Sequence, residues 1–187
     1  MNVIVSSFLL VVAAEMGDKT QLLAFTLASR FRRPWTVMAG ILVATLLNHL
    51  GAAALGSWVS EHVSPRLMAG ILAAMFLAFA IWMLIPDRAD EQEEGRYGPF
   101  LTTAALFFLA EMGDKTQLAT LALGARFQAT LLVTVGTTLG MLLADGLAVF
   151  LGDRLASRVQ ARWVRWVGAA LFLAFAVASA WSAWKGE

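Results

Sequence analysis

Six long apolar runs alternate along the chain with short polar breaks. The runs cover residues 3–29, 35–58, 67–85, 100–124, 130–152 and 164–184, and about 20 apolar residues in helical form are enough to cross a hydrocarbon core of roughly 30 Å. The breaks consist of residues that resist burial in lipid or cannot continue a helix: Arg32-Arg33-Pro34, Ser64-Pro65-Arg66, the polar stretch 86–99, Arg126-Phe127-Gln128 and the basic stretch 154–165. The pattern predicts an all-α integral membrane protein with six transmembrane helices. Trp35, Trp58, Trp82, Trp163, Trp166, Trp181 and Trp184 fall near the predicted span ends. Indole rings anchor at the headgroup interface, and that reading is preferred to an aromatic ligand cage.

Shifting the chain by 96 residues lays 14–22 on 110–118 with every residue identical. The same shift pairs Arg30-Phe31 with Arg126-Phe127, Gly40 with Gly136, Leu55-Gly56 with Leu151-Gly152, Arg66 with Arg162, and 76–80 with 172–176. The chain therefore divides into an N-terminal three-helix repeat (1–85), a linker (86–99) and a C-terminal three-helix repeat (100–187). An odd number of spans per repeat makes the two repeats inverted, an arrangement that places a site at the midplane where they meet. Gly136-x-x-x-Gly140, matched by Gly40-x-x-x-Ala44, predicts a close helix crossing.

Composition agrees with lipid as the solvent: 59% of residues are hydrophobic and 14% charged, more apolar surface than a soluble domain of this size can bury. The basic residues are unevenly spread. One predicted face carries nine (Arg30, Arg32, Arg33, Arg88, Arg96, Arg154, Arg158, Arg162, Arg165) and the other three (Arg66, Arg126, Lys185). By the positive-inside rule the linker is cytoplasmic and both termini lie outside the cell (inner) membrane. Nucleic acid is not an expected partner. With no cysteine, disulfides, thiolate metal sites and redox switching are excluded. Met1-Asn2-Val3-Ile4-Val5 lacks the positive start of a cleavable signal, so the first run is read as a retained span. The acidic run 90–94 is read as solvated linker.

Against this background Glu15, Asp18 and Lys19 lie in the middle of the first span, and Glu111, Asp114 and Lys115 in the middle of the fourth. Each such charge costs roughly 2.5–3.5 kcal/mol at a helix centre, while the twelve Leu, Ile, Val and Phe residues of the first span return only about 0.3–0.6 kcal/mol each. Insertion alone would not keep these residues. On a continuous helix Glu15 and Asp18, three apart, share a face that Gln21 extends, and the same holds for Glu111, Asp114 and Gln117. Across a pseudo-twofold axis the four carboxylates converge. Hard divalent cations take oxygen donors from carboxylates, from amide and hydroxyl oxygens such as those of Gln21, Gln117, Thr20 and Thr116, and from water. Four carboxylates and two ammonium groups sum to −2, which one divalent ion or two protons neutralise. That is the logic of an exchanger. The bland alternative pairs Glu15 with Lys19 and Glu111 with Lys115 as self-neutralising neighbours, but it leaves both aspartates unexplained.

Gly17 and Gly113 inside the motifs serve either helix loosening or close packing. On the second and fifth spans the repeat shift places His49, with Asn48 beside it, opposite Asp145. Asp145 is a fifth intramembrane carboxylate and these three are candidate supporting or proton-relay groups, with His49 equally readable as an interhelical hydrogen-bonder. Met16 and Met112 are packing residues first and soft donors second.

The doubled segment resembles the transmembrane protein 165 family of small cation transporters, whose hallmark is Glu-x-Gly-Asp-(Lys/Arg)-(Ser/Thr) once in each of two inverted three-helix halves. Residues 15–20 and 111–116 match it position by position. The resemblance implies Mn²⁺ and Ca²⁺ transport with proton exchange, no cofactor, ion binding by the acidic motif residues, and a prokaryotic, manganese-exporter-like member. The expected function is therefore a secondary transporter of divalent cations, Mn²⁺ export against protons first. A Ca²⁺/H⁺ antiporter is second, and a metal-dependent membrane enzyme is the alternative from another class. An organic-solute exporter and a non-transporting assembly subunit fit the four acids less well.

Overall fold

The structure, a computed structural model, describes residues 2–82, 84, 98–156 and 161–185. Those residues form eight helices: α1 Val3–Glu15, α2 Lys19–Phe31, α3 Pro34–His62, α4 Pro65–Trp82, α5 Pro99–Glu111, α6 Lys115–Phe127, α7 Thr130–Ala156 and α8 Ala161–Lys185. No strand occurs among the described residues. The linker lies outside them except for Gly98 and Pro99, as do Arg88, Arg96, Arg158 and the acidic run 90–94.

The expected first and fourth spans are not continuous. Each is two helices of 13 residues separated by Met-Gly-Asp. The cause is local: Gly17 and Gly113 adopt φ of 84° and 79°, a region costly for any residue with a Cβ, and the preceding methionines are extended. Two helices are long and apolar enough to cross a membrane by themselves, α3 over Pro34–His62 and α7 over Thr130–Leu151. The other apolar helices are shorter.

Packing exchanges the repeats. The broken helix α1–α2 lies on α7 of the second repeat, and α5–α6 lies on α3 of the first, while α3 meets α7 and α4 meets α8. Close approaches fix the directions. Gly40 backs onto Thr103 and Gly56 onto the carbonyl of Leu121, so α3 runs parallel to α5–α6. Gly136 and Gly140 back onto the carbonyls of Ile4 and Phe8, so α7 runs parallel to α1–α2. A Cβ at Gly136 would stand 2.6 Å from the Ile4 oxygen, which bears out the expected close crossing at Gly136-x-x-x-Gly140. α3 and α7 run oppositely: Met38 adjoins Gly146, and the rings of Trp35 and Phe150 stand 4.9 Å apart.

The repeated segment 76–80/172–176 packs against its own copy, with Phe76 and Phe79 of α4 interleaved with Phe172 and Phe175 of α8 at centroid distances of 5.3–6.4 Å. Outside this core Leu9, Leu47, Leu131, Val135, Leu139 and Val177 are exposed, a surface unsuited to water. Trp35, Trp58, Trp166, Trp181 and Trp184 are also exposed, near helix ends. The side chains of Trp82 and Trp163 are outside the described residues.

Candidate ion site between two broken helices

Each break is built by its own sequence. Asp18 caps α2, its Oδ1 accepting the Lys19 N–H at 2.6 Å, and Asp114 caps α6 through the Lys115 N–H at 2.7 Å. Gln21 and Gln117, three residues on, reach back to accept the N–H of Gly17 and Gly113, each at 2.7 Å. Gly-Asp-x-x-Gln thus acts as a variant of the capping box in the middle of an apolar run, with the aspartate accepting from the first helical N–H and the glutamine from the glycine before the cap. That signal was legible in the sequence, and it decides the role of the glycines in favour of loosening. In an unbroken helix the Gly17 and Gly113 N–H groups would bond the carbonyls of Ala13 and Leu109 instead. At Gly113 a Cβ would meet nothing within 4 Å, so close packing does not explain it.

The expectation that Glu15 and Asp18 share one helix face is corrected accordingly. Glu15 ends α1 and Asp18 starts α2, with the chain reversed in φ between them. Glu15 is fully buried and its Oε2 accepts from Thr20 Oγ1 at 2.7 Å across the break; Glu111 does the same with Thr116 at 2.8 Å. The other oxygen of each glutamate has no hydrogen-bond partner among the described residues.

The two motifs are tied together by crossed ion pairs. Lys115 Nζ lies 2.7 Å from Asp18 Oδ2, and Lys19 Nζ lies 3.6 Å from Asp114 Oδ2. The self-neutralising pairs Glu15–Lys19 and Glu111–Lys115 do not form among the described residues. Each lysine serves the other repeat. Glu15 and Glu111 are near enough for their charges to act on one another and on both aspartates. Convergence of all four acids around one point is not observed, however: among the described residues no three Asp, Glu or His side chains are placed to hold an ion. The lysines explain this, because each occupies the space beside an aspartate.

Around this cluster α3 and α7 supply unequal partners. Gln117 Nε2 donates to Asn48 Oδ1 at 3.3 Å, whereas Gln21 Nε2 donates to the backbone oxygen of Ala144, the repeat counterpart of Asn48, at 2.6 Å. Asn48 in turn donates to the Phe108 carbonyl at 3.1 Å. Asp145 is fully buried with neither oxygen hydrogen-bonded among the described residues, and it lies within charge–charge reach of Glu15, Asp18 and Glu111. Its counterpart His49 is fully buried too, with neither ring nitrogen bonded among the described residues, so the interhelical hydrogen-bonder is Asn48 and not His49. Met16 is partly buried, its sulfur 3.5 Å from Gln21 Nε2, and Met112 is exposed. The arrangement can hold cationic charge on oxygen donors and can carry protons on five acids.

Comparison with known proteins gives one family. A family model described as "Divalent cation/proton antiporter GDT1" matches residues 3–91 and again 99–187. A protein of Vibrio cholerae described as a "Putative manganese exporter" is 47% identical over 96% of this chain and 91% of its own length. The GDT1-like protein sll0615 of Synechocystis is 30% identical over 95% and 96%, and GDT1-like protein 3 of Arabidopsis thaliana is 31% identical over 93% and 69%. No solved structure matches the chain.

Proposed function

The chain belongs to the GDT1 family of divalent cation/proton antiporters, and from that premise we propose that it exports Mn²⁺ across the cell membrane in exchange for protons. It is a membrane transporter and not an enzyme. The observation that carries the finer reading is the pair of crossed bridges, which make two distant motifs a single buried charge cluster.

Six crossings as two inverted repeats give that cluster its place. α1–α2 and α5–α6 each form one interrupted span, α3, α4, α7 and α8 one each, and the cluster falls at the level of the breaks. The opposed directions of α3 and α7 and the apolar outer surface support this. The nine-to-three count of basic residues puts the linker in the cytoplasm and both termini outside.

In this reading Glu15, Asp18, Glu111 and Asp114 are the ion's ligands. Thr20 and Thr116 orient the glutamates, while Gln21, Gln117 and Asn48 hold the breaks open against α3 and α7. Lys19 and Lys115 occupy the aspartates when the ion is away. A divalent ion entering the cluster displaces the ammonium groups from the aspartates and draws the glutamates in. Asp145 brings the formal sum from −2 to −3, so the metal-loaded cluster retains one proton and the metal-free cluster takes three. The exchange remains one M²⁺ for two protons, without net charge movement. An unloaded, fully ionised cluster in a low-dielectric interior is costly, which blocks return of the empty carrier.

The donors are predominantly oxygens, which makes Ca²⁺ the second reading, since Met112 is exposed and the Met16 sulfur already meets Gln21 Nε2. Flux of Mn²⁺, Ca²⁺ and Mg²⁺ into proteoliposomes with an internal pH dye tests both. Mn²⁺ movement with opposite proton movement is expected, and a flux indifferent to the pH gradient would reject the exchange.

A further inference from the structure

Away from the ion cluster, one cation is incompletely used. Arg126 lies in the last turn of α6, half-buried, and Nη1 donates to Ser179 Oγ of α8 at 3.3 Å. That is its one hydrogen bond to the described residues, and no carboxylate among them lies within ion-pair distance. A guanidinium carries five N–H donors and never gives up its charge in a protein, so one long contact to a hydroxyl leaves most of its capacity open.

Arg126 borders two hollows at once. The first, of about 300 Å³, has mixed walls, formed where the ends of α3, α6 and α8 meet the start of α4: Ser60, Gln128 and Ser182 are its polar side and Met68, Ala69 and Leu72 its apolar side. Gln128 is fixed there by donating to Ser60 Oγ at 3.1 Å. The second is an open groove of about 820 Å³ along the outer face of α8. Its floor is Ala170, Ala174 and Ala178, four apart, and its walls are Leu173, Val177 and Trp181. Arg126 and Ser182 line both, so the groove adjoins the first hollow at its polar side. Lys185 stands over the Trp181 ring at 5.5 Å, and Arg66 follows Pro65 on α4.

We propose that this corner binds an anionic phospholipid, with its phosphate on the Arg126 guanidinium and one acyl chain along the alanine floor of α8. Charge complementarity selects the headgroup, because planar guanidinium donors fit phosphate oxygens. Adjacency of the hollow to the groove selects a ligand that has both a phosphate and a hydrocarbon tail. The inference is independent of the ion and concerns only the membrane setting of the protein.

The test uses the full chain purified in a zwitterionic-lipid nanodisc. Native mass spectrometry and thermal unfolding are recorded after adding phosphatidylglycerol, phosphatidylcholine of equal chain length, or inorganic phosphate. Phosphatidylglycerol is expected to be retained about fivefold or more over phosphatidylcholine and to raise the unfolding temperature, with inorganic phosphate inert. Arg126→Gln should bring the two lipids to parity and Arg126→Lys should preserve part of the preference. Ala174→Trp, which fills the groove without touching the charge, should release both. Equal retention of the two lipids by the wild-type chain, or full preference in Arg126→Gln, would overturn the proposal. So would stabilisation by inorganic phosphate alone, or closure of the groove by a second copy of the chain in lipid-free detergent.

Discussion

Lys115 and Asp18 form the shorter of the two ion pairs that join the repeats, 2.7 Å between Nζ and Oδ2, with both side chains almost fully buried. The mirror pair Lys19–Asp114 is longer, 3.6 Å, and its lysine is 26% exposed. The two halves of the cluster are thus chemically alike and environmentally unequal.

That inequality predicts different penalties. Lys115→Gln leaves Asp18 buried and uncompensated and should cost about 3–5 kcal/mol of stability. Lys19→Gln breaks a longer pair whose lysine is already partly in water, and should cost less than Lys115→Gln, although Asp114 is itself buried. Unfolding temperatures of the purified variants would show the order. The double change Asp18→Asn with Lys115→Gln should recover most of the lost stability and still fail to transport. Equal penalties for the two lysines would remove the inequality.

Removing one ligand charge should separate stability from function. Asp18→Asn and Asp114→Asn are each expected to insert normally and lose most metal flux, as is Glu15→Gln, whose remaining carbonyl still accepts from Thr20. Flux at the wild-type rate in any of them would exclude a shared site.

Gly113 tests the break itself. Alanine there meets no neighbour within 4 Å, so any loss comes from its φ of 79° alone, about 1–2 kcal/mol. Gly113→Asn should be milder, since asparagine tolerates that region better. Matching losses for the two replacements would point to a steric cause instead.

Orientation can be read from labelling. A cysteine at Gln92, in this otherwise cysteine-free chain, should be protected from an impermeant thiol reagent in intact cells and react after permeabilisation. Reaction in intact cells would invert the assigned topology.

Competition between metal and protons has a fixed sign. If both occupy the same carboxylates, lowering the pH on the metal-binding side should weaken Mn²⁺ affinity, and raising it should strengthen affinity until the acids are fully ionised. Isothermal titration across a pH series checks this. Affinity that does not change with pH would place the protons elsewhere.

Much of this was legible in the chain. The identical 14–22 and 110–118 announced a doubled site, and buried Glu15, Asp18, Lys19 and their copies could not be there for insertion. Helical continuity through apolar sequence does not hold here, because hydropathy sees only side chains and the interruption is made by the φ of Gly17 and by the reach of Gln21. The crossed pairing of Lys19 with Asp114 was hidden for a different reason. Spacing along a helix points to near neighbours, and these partners are brought together only by the packing of one repeat against the other. Asn48 stands beside His49 in the sequence, but its bond to Gln117 depends on α3 lying parallel to α5–α6, a relation no local pattern encodes.

The exchange of broken helices also sets an order of assembly during synthesis. When the first repeat has left the ribosome, α1–α2 has its charges but not α7, the helix it lies on, and Asp18 has no Lys115. It must wait while about thirty further residues are made to reach Lys115 and about seventy to complete α7. Until then the nascent N-terminal repeat holds charge in the membrane without the partners that the second repeat supplies. Two polypeptides cut at the linker should therefore each be unstable alone and become stable when expressed together.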